Sequence, residues 1–141
     1  MKELIIVRGG GDLATGTIHK LYKCGFSVLI LETEKPSAIR RNVAFSEAVY
    51  EGQHTVEGVT CFRADSLEEA NYLLAEGKLT LLVDPKGEAV SALRPMALVD
   101  GILAKKNLGT RREMAPITVA LGPGFHAGQD VDIAIKGGTN I

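Results

Sequence analysis

Leu4-Ile5-Ile6-Val7, followed directly by Arg8-Gly9-Gly10-Gly11-Asp12-Leu13-Ala14, sets an unbroken aliphatic run against three consecutive glycines. The run lacks the polar alternation of a half-exposed strand and reads as a strand buried on both faces. From Asp12 onward the period changes. Ala14, Ile18, Leu21 and Tyr22 recur three and four residues apart, with His19, Lys20 and Lys23 on the opposite side and Gly25 as a stop. That is an amphipathic helix of about three turns. Val28 to Leu31 is a second aliphatic run, closed by Glu32. Strand, glycine turn, helix and strand in this order make a βαβ unit with a right-handed crossover.

Outward from this unit the pattern repeats with less regularity. Ala38 to Val49 suits a helix or helical turn before Gly52, weakened by β-branched residues. Val59 to Arg63 reads as a strand, with His54 in a polar turn ahead of it. Ser66-Leu67-Glu68-Glu69 has the form of a capping box opening a helix that stops at Gly77. Leu79 to Val83, Ala97 to Ala104 and Ile117 to Leu121 are further aliphatic segments, and Val131 to Ile135 alternates weakly. Asp84 to Pro95 reads as a loop. The expected architecture is α/β, a Rossmann-like three-layer fold with a mostly parallel sheet. Residues 1–141 are expected to form a single domain, a fragment of something longer.

Composition narrows the function. A chain of 141 residues with 45% hydrophobic and 23% charged residues has the balance of one globular core. Sixteen Lys+Arg against seventeen Asp+Glu give a net charge of -1. No overall field draws in nucleic acid or an anionic membrane, so any anion site must be local. Aromatics at 5% and the absence of Trp argue against base-stacking platforms. No stretch reaches membrane-spanning length, and a cytoplasmic location is expected. Cys24 and Cys61 show no metal-ligand spacing and read as reduced interior thiols; no metal site is expected.

Ligand sites of open parallel sheets lie beyond the carboxyl ends of the strands. The loops expected to meet there carry Gly9, Gly10, Gly11 and Asp12, then Glu32, Asp84-Pro85, Lys105-Lys106-Asn107 and Gly122-Pro123-Gly124-Phe125. Gly9-Gly10-Gly11-Asp12-Leu13-Ala14 fits the G-x-G-x-x-G/A dinucleotide fingerprint, whose glycines allow a tight turn and expose amides to a phosphate. Glu32 stands where a carboxylate can accept hydrogen bonds from ribose hydroxyls. Asp12 complicates this reading, because its charge repels a pyrophosphate unless it turns aside to cap the helix through Ala14 or Thr15. Cofactor binding and a purely structural turn with a capping Asp both remain open. Arg40-Arg41 and Arg111-Arg112 read as solvated pairs, and His126 as a hydrogen-bonding loop residue. No catalytic residue is assigned.

Four blocks also resemble a known family: Arg8-Gly9-Gly10-Gly11-Asp12-Leu13-Ala14-Thr15-Gly16, the segment Arg40 to Gly52 (RRNVAFSEAVYEG), the segment Leu98 to Thr110 (LVDGILAKKNLGT), and the segment Ala120 to Asp132 (ALGPGFHAGQDVD). In this order they resemble the YqeB family of the selenium-dependent molybdenum hydroxylase system, and more loosely the XdhC/CoxI maturation factors. The resemblance implies a Rossmann-like accessory protein, non-catalytic or only weakly catalytic, that handles a molybdopterin-type cofactor or a dinucleotide and of which residues 1–141 form the amino-terminal part. Its implied partners are a molybdenum hydroxylase apoprotein and the small-molecule cofactor, with a homodimer also allowed. The cofactor-binding residues expected are Gly9, Gly10, Gly11, Asp12, Leu13, Glu32, Lys105, Asn107, Gly122 and Gly124. The alternatives are an NAD(P)-dependent oxidoreductase and an interaction module on a vacant Rossmann scaffold.

Overall fold

The computed structural model describes residues 3–38, 40–103, 107–122, 127–128 and 130–135. The aliphatic runs become strands β1 (Leu4–Arg8), β2 (Ser27–Glu32), β3 (Gln53–Val56), β4 (Val59–Ala64), β5 (Leu79–Val83), β6 (Ala97–Asp100), β7 (Ile117–Leu121) and β8 (Ile133–Ile135). They form one sheet in the order β3-β4-β5-β2-β1-β6-β7-β8. Every pairing is parallel except the β3-β4 hairpin at one edge. On one side of β1 chain order runs outward through β6, β7 and β8; on the other β2 is followed by β5, with the β4-β3 hairpin beyond it, in a Rossmann-like sheet. Arg8 is level with Leu31 on β2 and with Asp100 on β6, and Glu32 with Val83. The carboxyl ends of the central strands therefore lie side by side.

Because strand side chains alternate between faces, each central strand feeds two cores. Ile5, Val7, Val28, Ile30, Leu79 and Leu81 pack on one face with Ala14 and Ile18 of helix α1 (Asp12–Lys23) and with Ala48 and Val49 of the short helix α2 (Ala48–Glu51). Ile6, Leu29 and Leu98 pack on the other with Ala70 of α3 (Leu67–Ala75) and with Ala89 and Val90 of α4 (Glu88–Leu93). Both faces of the central strands are thus covered, as their continuous hydrophobicity requires. Ser66 caps α3, its Oγ accepting from the Glu69 amide at 3.1 Å, while the Glu69 carboxylate reaches back to the Asp65 amide at 2.6 Å.

Several expectations need correction. Asp84 to Pro95 is not simply a loop: Asp84 turns its carboxylate onto the Glu88 and Ala89 amides at 3.0 and 2.8 Å and starts α4. His54 lies in β3, not in a turn. Within the Ala97 to Ala104 segment the strand ends at Asp100. Ala38 to Val49 resolves into 3-10 turns at Arg41–Val43 and Phe45–Glu47 leading into α2. Cys61 is buried, but Cys24 is exposed rather than interior. Among the described residues no helix is long and apolar enough to cross a membrane.

Candidate functional site

The floor of the site is main chain. Gly9 leaves β1 with φ +95°, and a β-carbon there would lie 2.8 Å from the Gly101 carbonyl oxygen. A β-carbon on Gly101 would lie 2.9 Å from Cβ of Ala14. The two glycines let β1, the start of α1 and the end of β6 converge. Gly10 is tight as well, 3.0 Å from Cγ2 of Ile30, and its carbonyl accepts from the Ser46 amide at 2.8 Å. Gly11 differs, because nothing lies within 4 Å of a β-carbon built there. It is the N-cap of α1, in extended conformation and without a side-chain cap.

Asp12 therefore does not cap the helix. It is the first helical residue, and the Thr15 amide bonds the Gly11 carbonyl instead, at 2.9 Å. Among the described residues no side chain caps the amino end of α1, whose first-turn amides have no partner within the helix and carry a partial positive charge. Asp12 instead faces Arg40, whose Nε is 4.0 Å from its Oδ2. The carboxylate is partly covered and the guanidinium largely exposed, so the cation can swing away at little cost.

Glu32 holds the bend from the side. Its Oε2 accepts from the Gly10 amide at 2.7 Å and its Oε1 from the Thr33 amide at 2.9 Å. The carboxylate expected to meet a ribose already carries a structural bond on each oxygen. Leu13 is 72% exposed at the rim of a cleft of about 470 Å³, which is floored by Gly9, Gly11 and Gly101. Lys35, Pro36 and Ala38 form its outer wall. This wall is anchored where the Tyr50 hydroxyl donates to the Pro36 carbonyl at 2.7 Å. Arg41 braces the same region, gripping Glu47 through Nε at 3.1 Å and Nη2 at 3.0 Å.

A buried relay that sequence reading did not pick out lies beside the cleft. Arg8 donates to Thr110 Oγ1 at 3.0 Å and to the carbonyls of Pro85 and Leu108 at 3.1 and 3.3 Å. Thr110 in turn donates to Asp100 Oδ2 at 2.5 Å, and Asp100 Oδ1 accepts from the Ile102 amide at 3.1 Å. Arg8 and Asp100 are almost fully buried. Two charges buried this deeply need hydrogen-bond partners, and the Thr110 hydroxyl bonds to both. Asn107, expected to touch a cofactor, is spent on this loop. Its Oδ1 accepts from the Gly109 and Thr110 amides, and its Nδ2 donates to the Thr110 carbonyl at 2.6 Å. The only advance signal was an Arg closing an otherwise aliphatic strand.

Gly122, φ +100°, ends β7 behind the cleft, where a β-carbon would strike Cδ2 of Leu103 at 2.9 Å. Leu103 lines the cleft. The bends at Gly9 and Gly122 thus stand on the same edge of the sheet, with Leu103 between Gly122 and the opening. Lys105 and Gly124, and with them Lys106 and His126, lie outside the described residues. A larger groove of about 850 Å³ runs between α4 and the 3-10 turn Arg112–Met114; Gly87 lines it, but the Gly9–Gly11 bend and the amino end of α1 do not, so the smaller cleft is the better candidate. Among the described residues no group of three or more His, Cys, Asp or Glu could hold a metal ion.

Fold and cleft together define a Rossmann-like α/β protein with an uncapped helix opening onto the carboxyl edge of its sheet. The chain is 50% identical over 134 residues to a protein of Escherichia coli (strain K12) described as "Uncharacterized protein YqeB". The match covers 95% of this chain and 25% of that relative, so the chain spans about a quarter of the relative's length. The similarity supports the YqeB resemblance carried by the four sequence blocks. No family model matches the chain, and no solved structure matches it.

Proposed function

We propose that this chain is the cofactor-holding portion of a YqeB-type accessory protein. It takes a phosphate-bearing, nucleotide-like or molybdopterin-type cofactor into the cleft at the carboxyl edge, for use by a selenium-dependent molybdenum hydroxylase in the cytoplasm. The observation that carries this reading is the free amino end of α1 at Gly11, facing a cleft of about 470 Å³. That volume falls within the usual range for small-molecule sites, roughly 300–1,000 Å³. A helix amino end with unpaired amides suits a phosphate.

The residues present fit such a group. Space beside Gly11 admits a ligand where a side chain would stand. Of the carboxylates around the cleft, Glu32 and Asp84 are engaged by backbone amides, and Asp12 has Arg40 beside it. Gly11, Asp12 and Leu13 would hold the phosphate end through their amides, with Lys35 and Arg40 supplying positive charge. Such a cofactor carries its own redox chemistry; the chain's part is to bind it, orient it and shield it.

Native mass spectrometry of protein purified from a molybdenum-replete host tests the reading. A retained pterin or dinucleotide mass, lost in a Gly11→Asp variant, is expected. Protein without bound cofactor, together with no calorimetric binding of molybdopterin or nicotinamide dinucleotides, overturns it. Turnover with a nicotinamide dinucleotide would favour the oxidoreductase reading instead.

A further inference from the structure

On the α1 side of the sheet, helices cover β1, β2 and the strands beyond them, but among the described residues no helix packs over β7 and β8. Ile117, Val119 and Leu121 of β7 point to this side. Val119 and Leu121 pack against its core, and Ile133 and Ile135 pair in register beside them. Ile117 is 44% exposed, and Ile133 and Ile135 are each 50% exposed. On the opposite face the same strands are closed: Thr118 and Ala120 are buried, and the Asp132 carboxylate accepts from both the amide and the hydroxyl of Thr118. The result is five aliphatic side chains on two adjacent parallel strands, three of them substantially open to water.

Parallel sheets are almost always covered on both faces, because their connections leave apolar side chains on each. A contiguous aliphatic patch of this kind marks a contact surface. Among the described residues no helix packs over this quadrant of the three-layer sandwich, and its aliphatic face is therefore the one that needs a partner. The relative has about three quarters of its length outside the stretch matched by this chain. We infer that the Ile117/Ile133/Ile135 face docks polypeptide from that unmatched part, and that the segment seated there is an amphipathic helix with an aliphatic stripe. A helix is the element that completes an α/β layer, and its stripe of residues three and four apart matches a flat row of branched side chains. The inference depends on the fold and on the similarity to the relative, not on the cofactor reading.

Thiol labelling tests it. In a Cys24→Ser background, which removes the exposed native thiol, Ile117→Cys and Ile133→Cys variants are labelled in two forms. One is this chain alone. The other is a chimera in which this chain replaces the matched quarter of the Escherichia coli relative. Labelling at both positions is expected to slow by at least about tenfold in the chimera, as for sites protected by packing. A Tyr72→Cys control on the exposed surface of α3 should label equally in both and so report that the chain is folded alike. Equal rates at positions 117 and 133 in both forms overturn the inference. Protection in the chain alone that grows with its concentration also overturns it, because the occupant is then a second copy.

Discussion

Gly9 and Gly101 touch across the gap between β1 and β6, with only 2.8 Å between the place of a Gly9 β-carbon and the Gly101 carbonyl oxygen. The atom in the way is backbone and cannot rotate aside. Gly9 also has φ +95°, which L side chains avoid. Gly9→Ala is expected to destabilise the protein by about 3 kcal/mol or more, combining backbone strain with a clash. Denaturant unfolding measures this directly; a loss below about 1 kcal/mol would mean that the crossing can open.

Gly11 predicts the opposite combination. Its φ of -67° and ψ of 178° suit any residue, and the space beside it is free. Asp at this N-cap can accept from amides of the first turn, so Gly11→Asp should leave stability unchanged or raise it by a few tenths of a kcal/mol. The same carboxylate occupies the amides that an anion would use. Cofactor affinity should fall by about tenfold or more, read by calorimetry beside the unfolding curve. Reduced stability with unchanged binding would contradict both halves.

Thr110 joins the buried guanidinium of Arg8 to the carboxylate of Asp100. Thr110→Val keeps the shape and removes the hydroxyl, leaving two charged groups each short of a partner. A loss of about 2–3 kcal/mol is expected from hydrogen bonds to charged groups. Equilibrium unfolding with an unchanged denaturant slope would assign the loss to the folded state.

His54 offers both ring nitrogens to acceptors, Nδ1 at 2.7 Å from Glu51 and Nε2 at 2.9 Å from the Asn42 carbonyl. Only the imidazolium carries two N–H donors. Partial burial pulls its pKa down, but the Asn42 carbonyl and Glu51 outweigh this and hold it above the ordinary 6.5. A raised folded-state value means that the contribution is complete below the unfolded pKa and disappears as pH rises through the folded one. Stability should therefore decline from about pH 6.5 upward relative to a His54→Gln variant. Parallel pH profiles for the two proteins would refute this.

The two thiols should separate cleanly. Cys24 is exposed, whereas Cys61 is buried in the α1-side core and burial pushes its pKa far up. One equivalent of alkylating reagent is expected to react in the native protein and a second only after unfolding.

The first βαβ unit was legible because its signals are local: aliphatic runs, a glycine turn, and a helical period within one continuous stretch. The residues that finish the site were harder to read where their partners are distant. Arg8 meets Thr110 across 102 positions, and no spacing rule reaches that far. Asn107 looked like a ligand residue because polar loop residues at a strand edge invite that reading, yet its amide organises the turn that delivers Thr110. Asp12 is the first helical residue, one position past the N-cap role left open for it, and both positions carry the same preference for acids. β3 went unread because Gln53-His54-Thr55-Val56 exposes much of its length and takes its order from hairpin pairing with β4. The six-residue α4 depends on Asp84 reaching forward, a contact that hydrophobic period does not reveal.

Gly9, Gly11 and Gly101 line the cleft without side chains, so that part of its surface is peptide groups alone. Such a surface is indifferent to drift at most positions, since exchanging residues around it alters no atom of the floor itself. Substitutions at Leu13, Lys35 or Ala38 would therefore reshape the lip while the ground beneath stays the same.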